Sequence, residues 1–238
     1  MSETTNLELP LVQAAQAQKH VTVNEALVRL DAAIFTSVLD WNVFLPPVSA
    51  TEGDAYIVGE GATGAWAAHD QKIAVFSYGG WVFLSPKVGW RAWNTQIASP
   101  MVFDGVTWAV NAVAVSGFGA VTTQRIIELD HTITAGADSL TINAIPAYAQ
   151  LLGVTARVTD EILGAGVATW SLGVVGDEGR FANGLGLAQN SYALGMSGTA
   201  QTYWADTALL LTPDAGTFTS GQVRFAVHVT ELTPPRTV

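Results

Sequence analysis

The sequence predicts a mainly β protein with an N-terminal helix, a small antiparallel β domain and a C-terminal jelly-roll β-sandwich. Short apolar segments separated by Gly, Pro and Asp turn signals run from about residue 50 onward. Helical periodicity occurs only within the first 45 residues. After residue 115 the apolar segments become longer and richer in Thr, Val and Leu. We therefore divide the chain into an N-terminal segment (1–45), a Trp-rich β domain (46–115) and a β-sandwich (116–238).

The predicted helix covers residues 23–40. Thr22 and Glu25 have the spacing of a capping box, in which each side chain bonds the backbone of the other residue. One helical face carries apolar residues at steps of three and four: Val23, Leu27, Leu30, Ile34 and Val38. Residues 1–45 contain no second long helix that could cover this stripe. It indicates either an oligomerisation helix that packs against neighbouring subunits or a helix packed on its own sheet.

Short strands are predicted between residues 50 and 110. Asp104-Gly105 lies between two apolar segments and predicts a hairpin there. Six of the eight tryptophans lie between residues 41 and 108, and we expect most of them to form the core. The alternative is an exposed pair, Trp90 and Trp93, that forms a platform for stacking. The strands are predicted at residues 55–58, 72–76, 80–84, 90–94, 101–103 and 107–110.

The second half contains the pattern of a β-sandwich. Residues 111–123 are small and weakly patterned, which predicts a linker. Residues 222–232 alternate between apolar and polar side chains, so we expect a strand with one face in water. About eight strands in this half favour a jelly roll. The clearest are predicted at residues 126–129, 139–142, 151–158, 169–174, 208–211 and 222–232.

Composition and charge exclude several classes of partner. Only 13% of residues are charged, the net charge is −10, and the Lys and Arg residues are scattered singly. Because nucleic-acid binding needs clustered bases, we expect no nucleic-acid partner. The absence of cysteine excludes disulfides and thiolate metal sites. The sequence has no apolar run of 18 residues and no signal peptide. We therefore expect that the protein does not insert into a membrane and that it is made in the cytoplasm.

The sequence carries no recognisable catalytic motif. The four histidines lack metal-ligand spacing, and neither Gly-x-Ser-x-Gly nor a phosphate loop is present. We therefore expect a non-enzymatic protein without catalytic residues, metal or cofactor. An alternative is a polysaccharide-degrading enzyme that uses two of the acids in Asp160-Glu161, Asp177-Glu178 and Asp206. A calcium ion held by acids in the C-terminal loops is a weaker possibility, because no Asp-x-Asp-x-Asp-Gly spacing occurs.

Polar and aromatic residues gather in the predicted loops of the second half. Aromatic rings stack on the C–H face of a sugar, while Asp, Asn and Arg bond its hydroxyls, so this mixture suits glycan binding. The alternative is that Trp170 belongs to the core and the polar residues only form turns. The candidate glycan-binding residues are Trp170, Asp177, Arg180, Asn183, Tyr192, Tyr203, Trp204 and Asp206.

Several collinear motifs in residues 7–110 carry a family resemblance. They are residues 9–11 (LPL), 16–20 (QAQKH), 24–27 (NEAL), 29–31 (RLD), 52–58 (EGDAYIV), 61–66 (GATGAW), 80–83 (GWVF) and 86–90 (PKVGW). This stretch resembles a family of unknown function found in structural gene clusters of alphaproteobacterial phages, prophages and gene transfer agents. The second half is similar to the companion module of a gene-transfer-agent head-spike fibre, through residues 180–186 (RFANGLG) and 223–228 (VRFAVH).

The resemblance implies a surface fibre on a phage-like particle. Its N-terminal half would anchor it to a spike-base or capsid protein, and its C-terminal half would bind capsular polysaccharide of the recipient cell. Such fibres are homo-oligomers, most often trimers, and reach the particle surface outside the cell after lysis. The resemblance carries over no catalytic residues. The alternatives are a purely structural spike or tail component without a ligand, and the polysaccharide-degrading enzyme described above.

Overall fold

The computed structural model describes residues 3–12, 19–34 and 36–237. The chain forms two compact units, the first from Met1–Val121 with Pro234–Val238 and the second from Thr122–Thr233. The prediction of a mainly β protein with one N-terminal helix is confirmed. The helix α1 spans Lys19–Ala33, and a 3-10 turn spans Gly64–Trp66. The strands are β1 Ser37–Val38, β2 Asp40–Val43, β3 Ala55–Val58, β4 Ile73–Ser77, β5 Gly80–Leu84, β6 Arg91–Asn94, β7 Ser99–Phe103, β8 Trp108–Val110, β9 Ala112–Val115, β10 Val121–Thr132, β11 Ser139–Ile145, β12 Gln150–Ala165, β13 Trp170–Val174, β14 Asp177–Leu185, β15 Tyr192–Thr202, β16 Thr207–Pro213 and β17 Thr217–Thr233.

The helix α1 differs from its prediction at both ends. It begins before Thr22, so the predicted capping box is wrong, and Glu25 instead accepts hydrogen bonds from Arg29 at 3.0 and 3.2 Å. It ends at Ala33, and the hydroxyl of Thr36 then donates to the carbonyl of Ala32 at 3.1 Å. Val38 therefore lies in β1 rather than in the helix. A side chain that bonds the last turn competes with further helix formation, which explains the early end.

The buried face of α1 is not the predicted apolar stripe. Val28, Asp31 and Ala32 are buried, whereas Val23, Leu30 and Ile34 are exposed and Leu27 is half-buried. Asp31 accepts hydrogen bonds from the hydroxyl of Thr4 at 2.7 Å, from the backbone and side-chain amides of Asn6 at 3.1 Å each, and from the N–H of Leu7 at 2.7 Å. The preceding segment thus covers the helix through a buried carboxylate.

The first unit contains two small sheets with the strand orders β1-β6-β7-β8 and β2-β3-β4-β5. All six predicted strands in this region are present, within two residues at each end. The predicted hairpin at Asp104-Gly105 joins β7 to β8, and the Asp104 carboxylate accepts from the N–H groups of Val106 and Thr107 at 2.9 Å each. An Asp at the first position of a tight turn binds the backbone in this way.

Tryptophan side chains supply much of the burial in the first unit. Trp66 is fully buried and Trp108 is buried, and Trp66 packs edge-to-face on Trp81 with ring centroids 4.9 Å apart. Trp90 is half-buried against the core, whereas Trp93 is exposed. The two tryptophans therefore do not form the exposed pair that was the alternative.

The second unit contributes four strands to each of the two sheets of a sandwich. In the order of their pairing, these strands are β15-β12-β17-β10 in one sheet and β11-β16-β13-β14 in the other. Buried side chains from both sheets form one continuous core. Along β17 the residues Val223, Phe225, Val227 and Val229 are buried and the residues between them are not, as the alternation predicts. Six of the seven connections between these eight strands cross from one sheet to the other, an order that fits the predicted jelly roll.

Two segments of the second half were predicted wrongly. The predicted linker at residues 111–123 contains β9 and the start of β10. The residues from Asp177 to Asn183, predicted as a loop, lie in β14, and Tyr192 begins β15. Both β14 and β15 are edge strands of their sheets. Edge strands tolerate Gly and exposed polar residues, which gives them the composition of a loop.

Candidate functional site

Two of the predicted glycan-binding residues belong to the core of the second unit. Trp170 is buried, and its indole N–H donates to the carbonyl of Gly186 at 3.1 Å. Tyr203 is also buried, and its backbone N–H donates to the carbonyl of Ala149 at 3.1 Å. Burial raises the pKa of the Tyr203 phenol, against a smaller opposing effect of the Arg180 guanidinium. Neither ring has a free face to offer a ligand.

Three further predicted residues lie on the edge strand β14. Arg180 is largely buried and contacts the Asp177 carboxylate and the Ser197 hydroxyl at 3.5 Å each. The Asn183 side-chain amide donates to the carbonyl of Gly179 at 3.1 Å. Asp177 and Asn183 are exposed. Arg180 and Asp177 also interact electrostatically with the Tyr203 phenol, so the structure brings three of the predicted residues together.

The clearest exposed feature is a pair of aromatic rings, Tyr148 and Trp204, which we call the aromatic pair. Trp204 is 74% exposed and Tyr148 is 72% exposed. Their ring centroids lie 6.0 Å apart and the ring planes are inclined at 82°. An edge-to-face arrangement of this kind is favourable, and it leaves a broad face of each ring in water.

Backbone hydrogen bonds hold the aromatic pair in place. The N–H of Tyr148 donates to the carbonyl of Tyr203 at 2.6 Å, next to Trp204. The carboxylate of Asp206 accepts from the N–H of Ala147 at 2.8 Å, next to Tyr148. The segment between β11 and β12 is therefore tied to the segment between β15 and β16. Asp206 acts as a positioning residue for the pair.

A second surface lies on the outer face of the sheet β15-β12-β17-β10. We call it the outer groove. It has a volume of about 410 Å³ and is lined by Glu128, Thr155, Arg157, Tyr192, Leu194 and Arg224, with backbone between them. The strand register sets Arg157 directly opposite Tyr192 on one side and Arg224 on the other.

Arg157 and Tyr192 meet in this groove. The guanidinium of Arg157 lies 5.7 Å from the centroid of the Tyr192 ring, within the range of a cation–π contact. Its Nη1 also donates to the carbonyl of Asn190 at 3.1 Å. Tyr192 is 62% exposed, so its ring remains open to solvent. A cation and an open aromatic face thus stand side by side.

The neighbouring Arg224 is already neutralised. Its Nε and Nη2 each donate to the Asp130 carboxylate at 2.7 Å. The hydrogen bond from Arg224 lowers the pKa of Asp130, and the same pair raises the pKa of Arg224. Beside Leu194 the groove continues into an apolar hollow of about 320 Å³, lined by Leu152, Met196 and His228 among others. The sheet face therefore changes from charged to apolar along its length.

Of the residues predicted from the sequence, Trp204, Asp206 and Tyr192 lie on or beside these two candidate surfaces, whereas Tyr148 and Arg157 were not among the predictions. Tyr148 follows Pro146 in a turn between strands, where an exposed aromatic residue has no periodic signal. Arg157 had a usable signal, since it is the one charged residue in the apolar segment 151–158. Residues that alternate with it, Ala156 and Val158, are buried.

The described residues contain neither a metal cluster nor a membrane helix. No group of three or more His, Asp or Glu side chains among them is arranged to hold a metal ion. In the part of the chain that the structure describes, no helix is long and apolar enough to span a membrane.

Fold and surface define a protein with two β-rich units, of which the second is a sandwich displaying aromatic and cationic side chains. Residues 23–109 match the family described as "Protein of unknown function (DUF2793)", so a domain of this family is present in the first unit. A solved structure described as "Cyanophage Pam1 capsid asymmetric unit" is 22% identical, over 50% of this chain and 91% of that chain, with a TM-score of 0.35. A TM-score of this size does not establish a shared fold. No curated protein matches the chain.

Proposed function

We propose that this chain is a spike or fibre protein of a phage-like particle, such as a gene transfer agent. Its second unit attaches the particle to capsular polysaccharide on the cell surface. The sequence resemblance of residues 7–110 to phage and gene-transfer-agent proteins supports the assignment to a particle. The observation that carries the glycan-binding role is the exposed, backbone-tied aromatic pair of Tyr148 and Trp204.

The aromatic pair has no structural task that would explain its exposure. The core of the sandwich is continuous without either ring. Large aromatic side chains are normally buried to a high degree, and an exposed cluster of them marks a binding surface. Sugar rings present an apolar C–H face and a rim of hydroxyls. Two open aromatic faces beside polar loop backbone can bind both features.

The test is a binding measurement with the full chain and capsule extracts. Stacking on an aromatic face contributes on the order of 1 kcal/mol, so Trp204→Ala and Tyr148→Ala should each weaken binding about fivefold. The matched control is Trp93→Ala, which removes an exposed tryptophan from the first unit and should leave affinity unchanged. Equal losses in all three variants would contradict the assignment of the site. Absence of binding to every capsule would favour a structural spike or tail component without a ligand.

We propose that the attachment is non-enzymatic. Asp206 and Asp177 are engaged in local structure, one with the backbone of Ala147 and the other with Arg180. We therefore expect no new reducing ends when the protein is incubated with a capsule that it binds. Release of reducing ends by the protein, abolished in Asp206→Asn, would favour the polysaccharide-degrading alternative.

We also propose that α1 is the oligomerisation helix and that the protein forms a homotrimer bound to a spike-base or capsid protein. The exposed side chains of Val23, Leu30 and Ile34 support this role. Leu30→Glu should shift the sedimentation coefficient to that of a monomer, whereas Arg29→Glu on the same helix should not. A monomeric unmodified protein at high concentration would contradict the proposal.

A further inference from the structure

We propose that the outer groove is a subsite for a carboxylate-bearing sugar, with Arg157 binding the carboxylate and Tyr192 stacking on the sugar ring. This inference rests on the proposed glycan-binding function and specifies the class of polysaccharide as acidic. It adds a site on the face of the sheet β15-β12-β17-β10 that is distinct from the aromatic pair.

The charge balance of the second unit singles out Arg157. Residues 122–233 contain ten acids and four arginines, and no lysine. Three of those arginines form ion pairs: Arg125 with Glu231 at 2.7 Å, Arg180 with Asp177 at 3.5 Å, and Arg224 with Asp130 at 2.7 Å. Arg157 is the one arginine in this range, all of which the structure describes, without a carboxylate partner. Because this unit has many more acids than arginines, an arginine without a carboxylate partner indicates that its counter-anion belongs to a ligand.

The geometry of Arg157 suits a carboxylate. A guanidinium presents its N–H groups as a planar fork that binds both oxygens of a carboxylate at once. Arg157 uses only Nη1, toward the carbonyl of Asn190, so its remaining N–H donors have no hydrogen-bond partner among the described residues. Arg224 cannot serve in the same way, because Asp130 already occupies two of its nitrogens.

The surroundings of Arg157 favour a sugar acid over a simple anion. The open Tyr192 ring lies next to the guanidinium and offers an apolar face of the size of a sugar ring. The hydroxyl of Thr155 and the carboxylate of Glu128 line the same groove and can bond sugar hydroxyls. At about 410 Å³ the groove has the volume of a small-molecule site.

The experiment is an NMR titration of the isotope-labelled full chain with sodium glucuronate and, separately, with neutral methyl glucoside. We expect glucuronate to shift the Arg157 side-chain N–H signal and the Tyr192 ring signals, and methyl glucoside to shift neither. Arg157→Gln should reduce the affinity for glucuronate at least tenfold and abolish the Tyr192 shift. The matched control is Arg91→Gln, which removes an exposed arginine from the first unit with the same change of charge. Equal shifts with both sugars, or an unchanged response in Arg157→Gln, would overturn the proposal.

A second arm separates this inference from the proposed function. Binding of the full chain is compared between native capsule extract and the same extract with its carboxyl groups reduced to alcohols. Weaker binding to the reduced capsule, with no difference between the two in Arg157→Gln, supports the acidic subsite. Equal binding to both capsules, still weakened in Trp204→Ala, overturns the subsite and leaves the proposed function standing. If the groove is instead covered by a second copy of the chain, glucuronate leaves the Arg157 signal unshifted and Arg157→Gln changes the sedimentation coefficient, which also overturns the proposal.

Discussion

The two units are stabilised by different interactions. Nine polar residues of the described chain are buried, and seven of them, including Asp31 and Asp104, lie in the first unit. The first unit divides its apolar core into separate clusters around tryptophans, whereas the second has one continuous core shared by two sheets. Small sheets enclose little apolar volume. In the first unit, large aromatic rings and buried hydrogen bonds therefore contribute the stabilisation that a continuous core contributes in the second.

This difference between the two cores bears on the proposed function. In the second unit the continuous core is complete without Tyr148, Tyr192 and Trp204, and these aromatic side chains remain at the surface. In the first unit most tryptophans are committed to packing. The proposed binding surface therefore lies in the unit whose core does not need these aromatic side chains.

The largest expected effect comes from removing one core ring in each unit. Trp66 and Phe225 are both fully buried, so Trp66→Ala and Phe225→Ala should each lower the free energy of unfolding by about 3–5 kcal/mol. Hydrogen exchange read by mass spectrometry should show faster exchange only in the unit that carries the change. Trp93→Ala is the control in the first unit and should cost below about 1 kcal/mol, because the side chain is 46% exposed. Faster exchange across both units in either variant would show that they unfold as one.

Asp31→Ala is expected to have the next largest effect. The substitution leaves four hydrogen-bond donors in and around a buried position without an acceptor, which costs about 3 kcal/mol. Denaturant unfolding of the first unit measures it. Asp70→Ala, which removes an exposed carboxylate that accepts from the N–H of Gly61, should cost about 1 kcal/mol or less. Similar losses in the two variants would argue that burial adds nothing to the Asp31 network.

The third prediction concerns the acid stability of the first unit. Burial raises the pKa of Asp104, but the N–H groups of Thr107 and Val106 and the Arg236 guanidinium outweigh it and hold the pKa below its ordinary value. A lowered pKa in the folded state contributes stability above the ordinary aspartate pKa of about 4, and that stability is lost as pH falls through the folded value. Asp104→Asn should lower stability by about 1 kcal/mol at neutral pH and flatten the decline in acid. In Asp138→Asn, an exposed position of the second unit, the pH dependence should be unchanged; an unchanged acid decline in Asp104→Asn would refute the assignment.

The smallest effects are expected at the proposed binding residues. Trp204→Ala and Arg157→Gln should change the free energy of unfolding of the second unit by no more than about 0.5 kcal/mol, since both side chains are exposed and outside the core. Thermal unfolding compares them with the parent chain. A loss above about 1 kcal/mol in either variant would mean that the residue stabilises the fold. Weaker binding by that variant would then not locate the binding site.

Much of the fold is readable from the sequence because alternation and turn chemistry are local. The hairpin at Asp104 depends on a carboxylate that accepts a hydrogen bond from the N–H two residues further on. An Asp followed by Gly between two apolar segments predicts this turn from the sequence alone. The buried residues of β17 alternate without interruption between Val223 and Val229. In both cases the residues that decide the structure are neighbours in the chain.

The predictions are wrong where contacts between residues far apart in the sequence determine the structure. The helix α1 rotates Asp31 inward because Thr4, Asn6 and Leu7 donate to it, which no helical periodicity could reveal. β14 has the composition of a loop because its outer edge pairs with no strand in the part of the chain that the structure describes. The candidate site was only partly predictable for the same reason: Trp204 was recognisable as an aromatic residue in a loop, but its partner Tyr148 is brought to it by the fold.

The first unit is not continuous in sequence, and this determines when it can be completed during synthesis. Its final contacts come from Arg236, whose backbone N–H donates to the carbonyl of Phe118 at 2.9 Å and whose guanidinium binds Asp104 and the carbonyl of Gly117. Residues 122–233 must be synthesised before Arg236 emerges from the ribosome, which takes on the order of ten seconds. During that interval the first unit lacks the cation that neutralises its buried Asp104. Completion of the earlier unit thus depends on translation through the later one.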